Sequence, residues 1–148
     1  MKILIDADGC PVVDITVEIA RAKNIPCIIF CDTAHHFERS GAVTITVSKG
    51  ADSVDFALVN KAESGDIVVT QDFGLAAMCL ARGAIPISQN GMVYNDNNIN
   101  GLLMQRHMAK KIRMSGGRLS GPAKRTKEQD AEFSAQLNEI IDKLGGGK

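Results

Sequence analysis

Met1-Lys-Ile-Leu-Ile-Asp-Ala-Asp-Gly-Cys-Pro11 is the stretch whose reading decides the fold. Lys2 to Ile5 is a short apolar run rich in β-branched residues, the pattern of a buried strand. It ends in two carboxylates, Asp6 and Asp8, followed by Gly9, which permits a tight turn. Pro11 stands where a helix would begin, the one helical position that suits proline. The segment therefore reads as strand, acidic turn, helix. In an open α/β sheet such a turn lies at the carboxyl edge, where ligands bind. Asp-x-Asp at that edge suits Mg²⁺ or Mn²⁺, because hard divalent ions prefer carboxylate oxygens. The plainer reading, a pair of turn and capping aspartates, stands beside it.

Working outward, Pro11 to Lys23 carries Val12, Ile15, Ile19 and Ala22 at helical spacing. Pro26 to Cys31 is a second buried strand. Asp32 to Gly41 is a polar loop at the same edge, an ordinary surface loop unless His36 or Arg39 faces a substrate. Val43, Ile45 and Val47 alternate with threonines in a third strand. Asp52 and Asp55 open the next helix and share one face of its amino end. One aspartate is enough to cap a helix, so the second suggests a site. Asp66 to Thr70 is a fourth strand ending at Gln71-Asp72, Phe73 to Arg82 a helix, and Ala84 to Ser88 a fifth strand. Asn90-Gly91 predicts a hairpin into Met92 to Tyr94. Asn98 is placed to cap a helix from Ile99 to about Met114. Ser115 to Pro122 reads as a flexible connector. Thr126 with Gln129 forms a capping box for a last helix whose apolar stripe is Phe133, Leu137, Ile140, Ile141 and Leu144.

Alternating strands and helices predict an α/β fold: a three-layer α/β/α sandwich around a mostly parallel five-stranded sheet, with additional C-terminal helices. Residues 1–114 form the α/β domain in this reading. Residues 115–148 are a basic connector and a terminal helix that packs on the domain or on a partner.

The chain has 148 residues, 45% hydrophobic and 23% charged, as expected of one soluble globular domain. Aromatic residues are 4% with no Trp, so an aromatic platform for stacking bases is not expected. The net charge is zero, but no acid occurs between Asp96 and Glu128, where Arg106, Lys110, Lys111, Arg113, Arg118, Lys124, Arg125 and Lys127 fall. That segment is either a basic arm for phosphates or a solvated basic surface. Asp6 and Asp8 interrupt any apolar signal segment and no run reaches transmembrane length, so a cytoplasmic, non-membrane protein is expected. Four cysteines are too sparse for a disulfide scaffold. Cys27 and Cys31 share a strand face near His35 and His36, but without a recognised zinc-ligand spacing.

Every acidic motif falls at one edge of such a sheet. If strands one and four are neighbours, Asp6, Asp8 and Asp72 face each other, with Asp52 and Asp55 nearby. Several carboxylates stay ionised in one cleft only if cations compensate them, and one or two Mg²⁺ or Mn²⁺ ions are the simplest solution.

Asp6-Ala-Asp-Gly-Cys-Pro-Val12, Ser48-Lys-Gly-Ala-Asp-Ser-Val-Asp55, Thr70-Gln-Asp-Phe-Gly-Leu-Ala76 and Ser115-Gly-Gly-Arg118 before Gly121-Pro122 resemble the YaiI/YqxD family of uncharacterised bacterial proteins, grouped with the PIN-like domains. The resemblance spans nearly the whole chain. PIN domains are metal-dependent ribonucleases with acids after the first strand, at a central helix and after the fourth strand. The matching positions are Asp6, then Asp52 or Asp55, then Asp72, with Asp8 as an additional member. The chain departs from that pattern in carrying Asp-x-Asp where one Asp is expected, and its fourth acid is unassigned.

The resulting expectation is a nuclease acting on RNA before DNA. Asp6, Asp8, Asp55 and Asp72 are its catalytic residues, and Asp6, Asp8, Asp52, Asp55 and Asp72 its metal ligands. Arg106, Lys110, Lys111, Arg113 and Arg118 contact nucleic acid. The resemblance also implies a homodimer. Two alternatives remain: a non-catalytic module binding nucleic acid or protein, and a HAD-type phosphatase with Asp6 as nucleophile, Asp8 as acid/base, and Asp66 with Asp72 as a late acidic motif.

Overall fold

The computed structural model describes residues 1–32, 38–48, 53–117 and 124–145. Its elements are β1 (Ile3–Asp6), α1 (Val13–Ala22), β2 (Cys27–Asp32), β3 (Val43–Val47), α2 (Ser53–Lys61), β4 (Ile67–Val69), α3 (Phe73–Ala81), β5 (Ile85–Ile87), α4 (Ile99–Met114) and α5 (Lys127–Lys143). The strands form one five-stranded sheet in the order β3-β2-β1-β4-β5, and every pair is parallel. The chain winds outward from β1 to β3, then crosses over and winds outward again through β4 and β5. The reversal falls between β1 and β4, whose register pairs Ile3 with Ile67 and Ile5 with Val69.

Parallel strands buried on both faces read as continuous apolar runs, and successive side chains alternate between the faces. Ile3, Ile5, Cys27, Ile29, Ile67 and Val69 meet α1 and α5 on one face. Leu4, Phe30 and Val68 meet Leu58 of α2, Ala62 just after it, and Leu75 and Cys79 of α3 on the other. Outside α3, the start of α4 packs Ile99, Leu102 and Leu103 against Ala76 and Tyr94. Two helical layers thus cover the sheet, with α4 added outside.

The terminal helix docks on its own domain through Phe133, Leu137, Ile140 and Ile141. Its capping box forms as expected between Thr126 and Gln129. Leu144 falls outside the expected stripe: it stands beyond the last turn of α5 and is 42% exposed.

Three further local expectations are corrected. Pro11 precedes α1 in a turn, because Val12 supplies the first helical acceptor, to the Thr16 N–H at 3.0 Å. The hairpin turn at Asn90-Gly91 forms, with the Ser88 N–H reaching the Met92 carbonyl at 2.8 Å, but its return strand shrinks to one antiparallel bridge, Ile87 to Val93. Asn98 makes no side-chain cap on α4. Its amide instead accepts from the Asn95 N–H and donates to the Val93 carbonyl, so it braces the incoming loop.

Candidate functional site at the carboxyl edge of β1 and β4

Asp6 ends β1 on the sheet face that Leu4 shares, beneath the amino end of α3. Its Oδ2 accepts a hydrogen bond from Thr70 Oγ1 at 2.8 Å. The same hydroxyl oxygen accepts the Asp72 N–H at 3.0 Å, so one buried threonine positions both aspartates. The Thr70 carbonyl in turn accepts the Tyr94 hydroxyl at 3.1 Å. Tyr94 is buried, with its ring edge-on to Phe73 at 5.9 Å between centroids. Asp72 is the N-cap of α3, where Oδ1 accepts the Leu75 N–H at 3.1 Å.

Asp72 is not read as a cap from the sequence; the structure makes it one, and it lines the crevice from that position. Asp8 lies within the tight turn that the Cys10 N–H closes on the Ala7 carbonyl at 3.0 Å, and its Oδ2 accepts the Asp32 N–H at 3.2 Å. That bond ties the β1 loop to the end of β2.

Asp6, Asp8, Gln71, Asp72, Phe73 and Arg106 line one open cavity of about 500 Å³. A second cavity, of about 360 Å³, is lined by Asp55, Phe56, Asp72, Gly74, Met78 and Arg106. Asp72 and Arg106 are common to both, so the two are adjoining lobes of one crevice. Arg106 Nη1 approaches Asp72 Oδ1 at 3.4 Å, both side chains being substantially exposed, a geometry in which an ion pair contributes little. Gly74 leaves this approach open, because a Cβ there would stand 3.2 Å from Asp72 Oδ1 and 3.5 Å from the guanidinium.

Charge crowding is visible in Asp6. Burial pushes its carboxyl from 3.8 up to about 6, and the charges of Asp72 and Asp8 add to the rise, against the lowering effect of the Thr70 hydrogen bond. Cys10 lines a smaller recess beside Asp6 and Asp8. Its thiol is pushed up to about 11, chiefly by burial, so it stays protonated at neutral pH and is not an activated nucleophile.

The donor set of carboxylates suits hard divalent cations. Its spacing is looser than the sequence implied: among the described residues, no three His, Cys, Asp or Glu side chains form a group able to hold one ion. Asp6, Asp8 and Asp72 line one cavity without closing on a single point, and Asp55 lies in the neighbouring lobe. Asp52, Arg118, His35 and His36 lie outside the described residues. Arg39 turns away from the crevice to pair with Asp14 of α1.

Asp66 lies at the amino edge of the sheet, opposite Asp6. There it is buried and bonded to Lys2 Nζ at 2.6 Å. A HAD-type acidic motif containing both residues is not assembled.

Among the described residues of the predicted basic set, Arg106 alone lines the crevice. Lys110 and Arg113 follow it at helical spacing on the same face of α4, and Lys111 lies off that face; all three are exposed. No helix among the described residues is long and apolar enough to cross a membrane.

Sequence reasoning overlooked Thr70, Tyr94 and Phe56. A polar residue ending the apolar run Ile67-Val-Val69, two residues before Asp72, was the available signal for Thr70. For Tyr94 and Phe56 no local pattern distinguished a site role from packing.

The fold and crevice define a doubly wound α/β domain with an acidic site at its topological switch point. The model of the family described as uncharacterized BCR, YaiI/YqxD family, matches residues 4–143, and the chain belongs to that family. A UPF0178 protein of Exiguobacterium sibiricum is 52% identical over 141 residues, 95% of this chain and 96% of its own. One from Ruminiclostridium cellulolyticum is 49% identical over 137 residues, 93% and 90% of the two chains. Another, from Alkaliphilus oremlandii, is 46% identical over 142 residues, 96% and 92%. No solved structure matches the chain at a significant level.

Proposed function

We propose that the crevice between β1 and β4 is the active site of a Mg²⁺- or Mn²⁺-dependent nuclease of PIN-like type, acting on RNA before DNA. The observation that carries this reading is the meeting of Asp6, Asp8 and Asp72 with Arg106 in one open cavity at the carboxyl edge. Asp6, Asp8 and Asp72, which line this cavity without closing on one point, would have to draw together around the cation to hold it, with Asp55 from the adjoining lobe completing the set. A bound Mg²⁺ or Mn²⁺ would neutralise developing charge on a phosphoryl oxygen and lower the pKa of water.

The protein's own contribution is orientation and charge. Thr70 aligns Asp6 with Asp72 through one hydroxyl. Arg106 reaches the rim, where its planar guanidinium matches a phosphate. Lys110 and Arg113 extend the same cationic line along α4 and would follow the backbone of a bound strand.

The test is hydrolysis of labelled RNA and DNA oligonucleotides in Mn²⁺, with EDTA as control. Cleavage by the wild type that EDTA and Asp72→Asn each abolish is expected. Cleavage that survives both would refute the reading.

A further inference from the structure

Among the described aromatic residues Phe56 alone is exposed, at 60%. The apolar face of α2 turns Val54, Ala57 and Leu58 into the core, and Phe56 is not packed there. An isolated surface apolar residue would need no explanation. Phe56, however, lines the 360 Å³ lobe together with Met78, Asp72 and Arg106, a volume in the range of small-molecule sites. Because Asp72 and Arg106 also line the acidic lobe, a phosphate held at Arg106 leaves its nucleoside one lobe to occupy on the Phe56 side.

Three features suit that lobe to a flat aromatic ligand. Phe56 supplies a π-face, Met78 a polarisable thioether, and Gly74 a wall without a side chain beside Asp72 and Arg106.

We propose that the lobe lined by Phe56, Met78 and Gly74 is a nucleobase subsite, in which the base next to the phosphate at Arg106 stacks on Phe56. This rests on the nucleic-acid reading above and adds the element that positions the strand. Stacking on one aromatic face is sequence-tolerant, because every base has a π-face. It requires a base free of its own stack, so the subsite selects unpaired segments over continuous duplex. The scarcity of aromatic residues gave no expectation of base stacking in the sequence, and the subsite departs from that reading through a single exposed phenylalanine.

The test is fluorescence anisotropy in Ca²⁺ with two probes of equal length, a labelled oligoadenylate and a chain in which hydrogen replaces each base. The wild type is expected to bind the oligoadenylate more tightly. Phe56→Ala should weaken oligoadenylate binding by between about fivefold and a hundredfold, leave the baseless chain unchanged, and unfold in urea like the wild type. Phe56→Trp should retain oligoadenylate binding. Arg106→Ala should weaken both probes alike.

Equal wild-type affinity for the two probes, or oligoadenylate binding untouched by Phe56→Ala, overturns the subsite while leaving the phosphate reading intact. Failure of the wild type to bind either probe overturns both.

Discussion

Replacing Asp6 by Asn isolates the electrostatic cost of assembling the crevice. The Asp6 carboxyl lies at about 6 in the folded protein against 3.8 ordinarily. Between those values the folded state holds the proton more tightly than the unfolded chain, so this group makes stability fall as pH rises from about 4 through about 6. Each pKa unit is worth about 1.4 kcal/mol, so ionised Asp6 costs about 3 kcal/mol at neutral pH relative to acid. Asn keeps an oxygen for the Thr70 hydroxyl and carries no charge. The stability of Asp6→Asn minus that of wild type should therefore grow by about 2.5 kcal/mol between about pH 4 and pH 7.5. Using the change with pH cancels any fixed penalty of the new amide. Urea unfolding of both proteins across that range measures it. Adding Mn²⁺ at neutral pH should shrink the difference, because a cation offsets the Asp6 charge, which the wild type carries and the variant lacks. A difference that stays flat with pH would refute the argument that burial and the Asp72 and Asp8 charges crowd this carboxylate.

Three further outcomes are expected. Thr70→Val removes the hydroxyl shared by Asp6 and the Asp72 N–H; it should destabilise by about 1–3 kcal/mol in urea, and carboxyl-carbon NMR should show Asp6 titrating higher than in wild type. Lys2→Met removes the Nζ partner of buried Asp66 at the opposite edge, which should cost about 2–4 kcal/mol of stability by the same assay while leaving Mn²⁺ affinity unchanged. Cys10, with its thiol pushed up to about 11, should react with iodoacetamide at neutral pH more slowly than a free cysteine, as mass spectrometry over time would show.

Much of this molecule was legible because two signals coincide at its strand ends. The apolar runs Ile3-Leu-Ile5 and Ile67-Val-Val69 are each followed by acids, and parallel winding brings those ends together. The β1–β4 neighbourhood was a condition in the sequence and is an observation in the structure. Side-chain destinations were less legible, since they depend on contacts distant in sequence. Asp8 spends one oxygen on the Asp32 N–H, 24 residues away. Thr70 meets Asp6 across 64 residues. Asn98 looked like a helix cap, yet the Val93 carbonyl and Asn95 N–H drew its amide instead. The return strand expected after Asn90-Gly91 forms only one bridge, because β5 has three residues, too few to template a full partner. Phe56 was invisible as a site residue, because only the folded chain shows which face of α2 borders the crevice.

The central claim is that the crevice binds a divalent cation through Asp72 and its neighbours, and calorimetric titration of Mn²⁺ tests it most directly. Wild type and Asp72→Asn would be titrated at neutral pH, each with and without an oligonucleotide. The account predicts binding by the wild type, stronger with oligonucleotide present because its phosphates supply further oxygen ligands, and loss of that binding in Asp72→Asn. Equal binding by both proteins, or no wild-type binding up to millimolar metal even with the oligonucleotide, would contradict it.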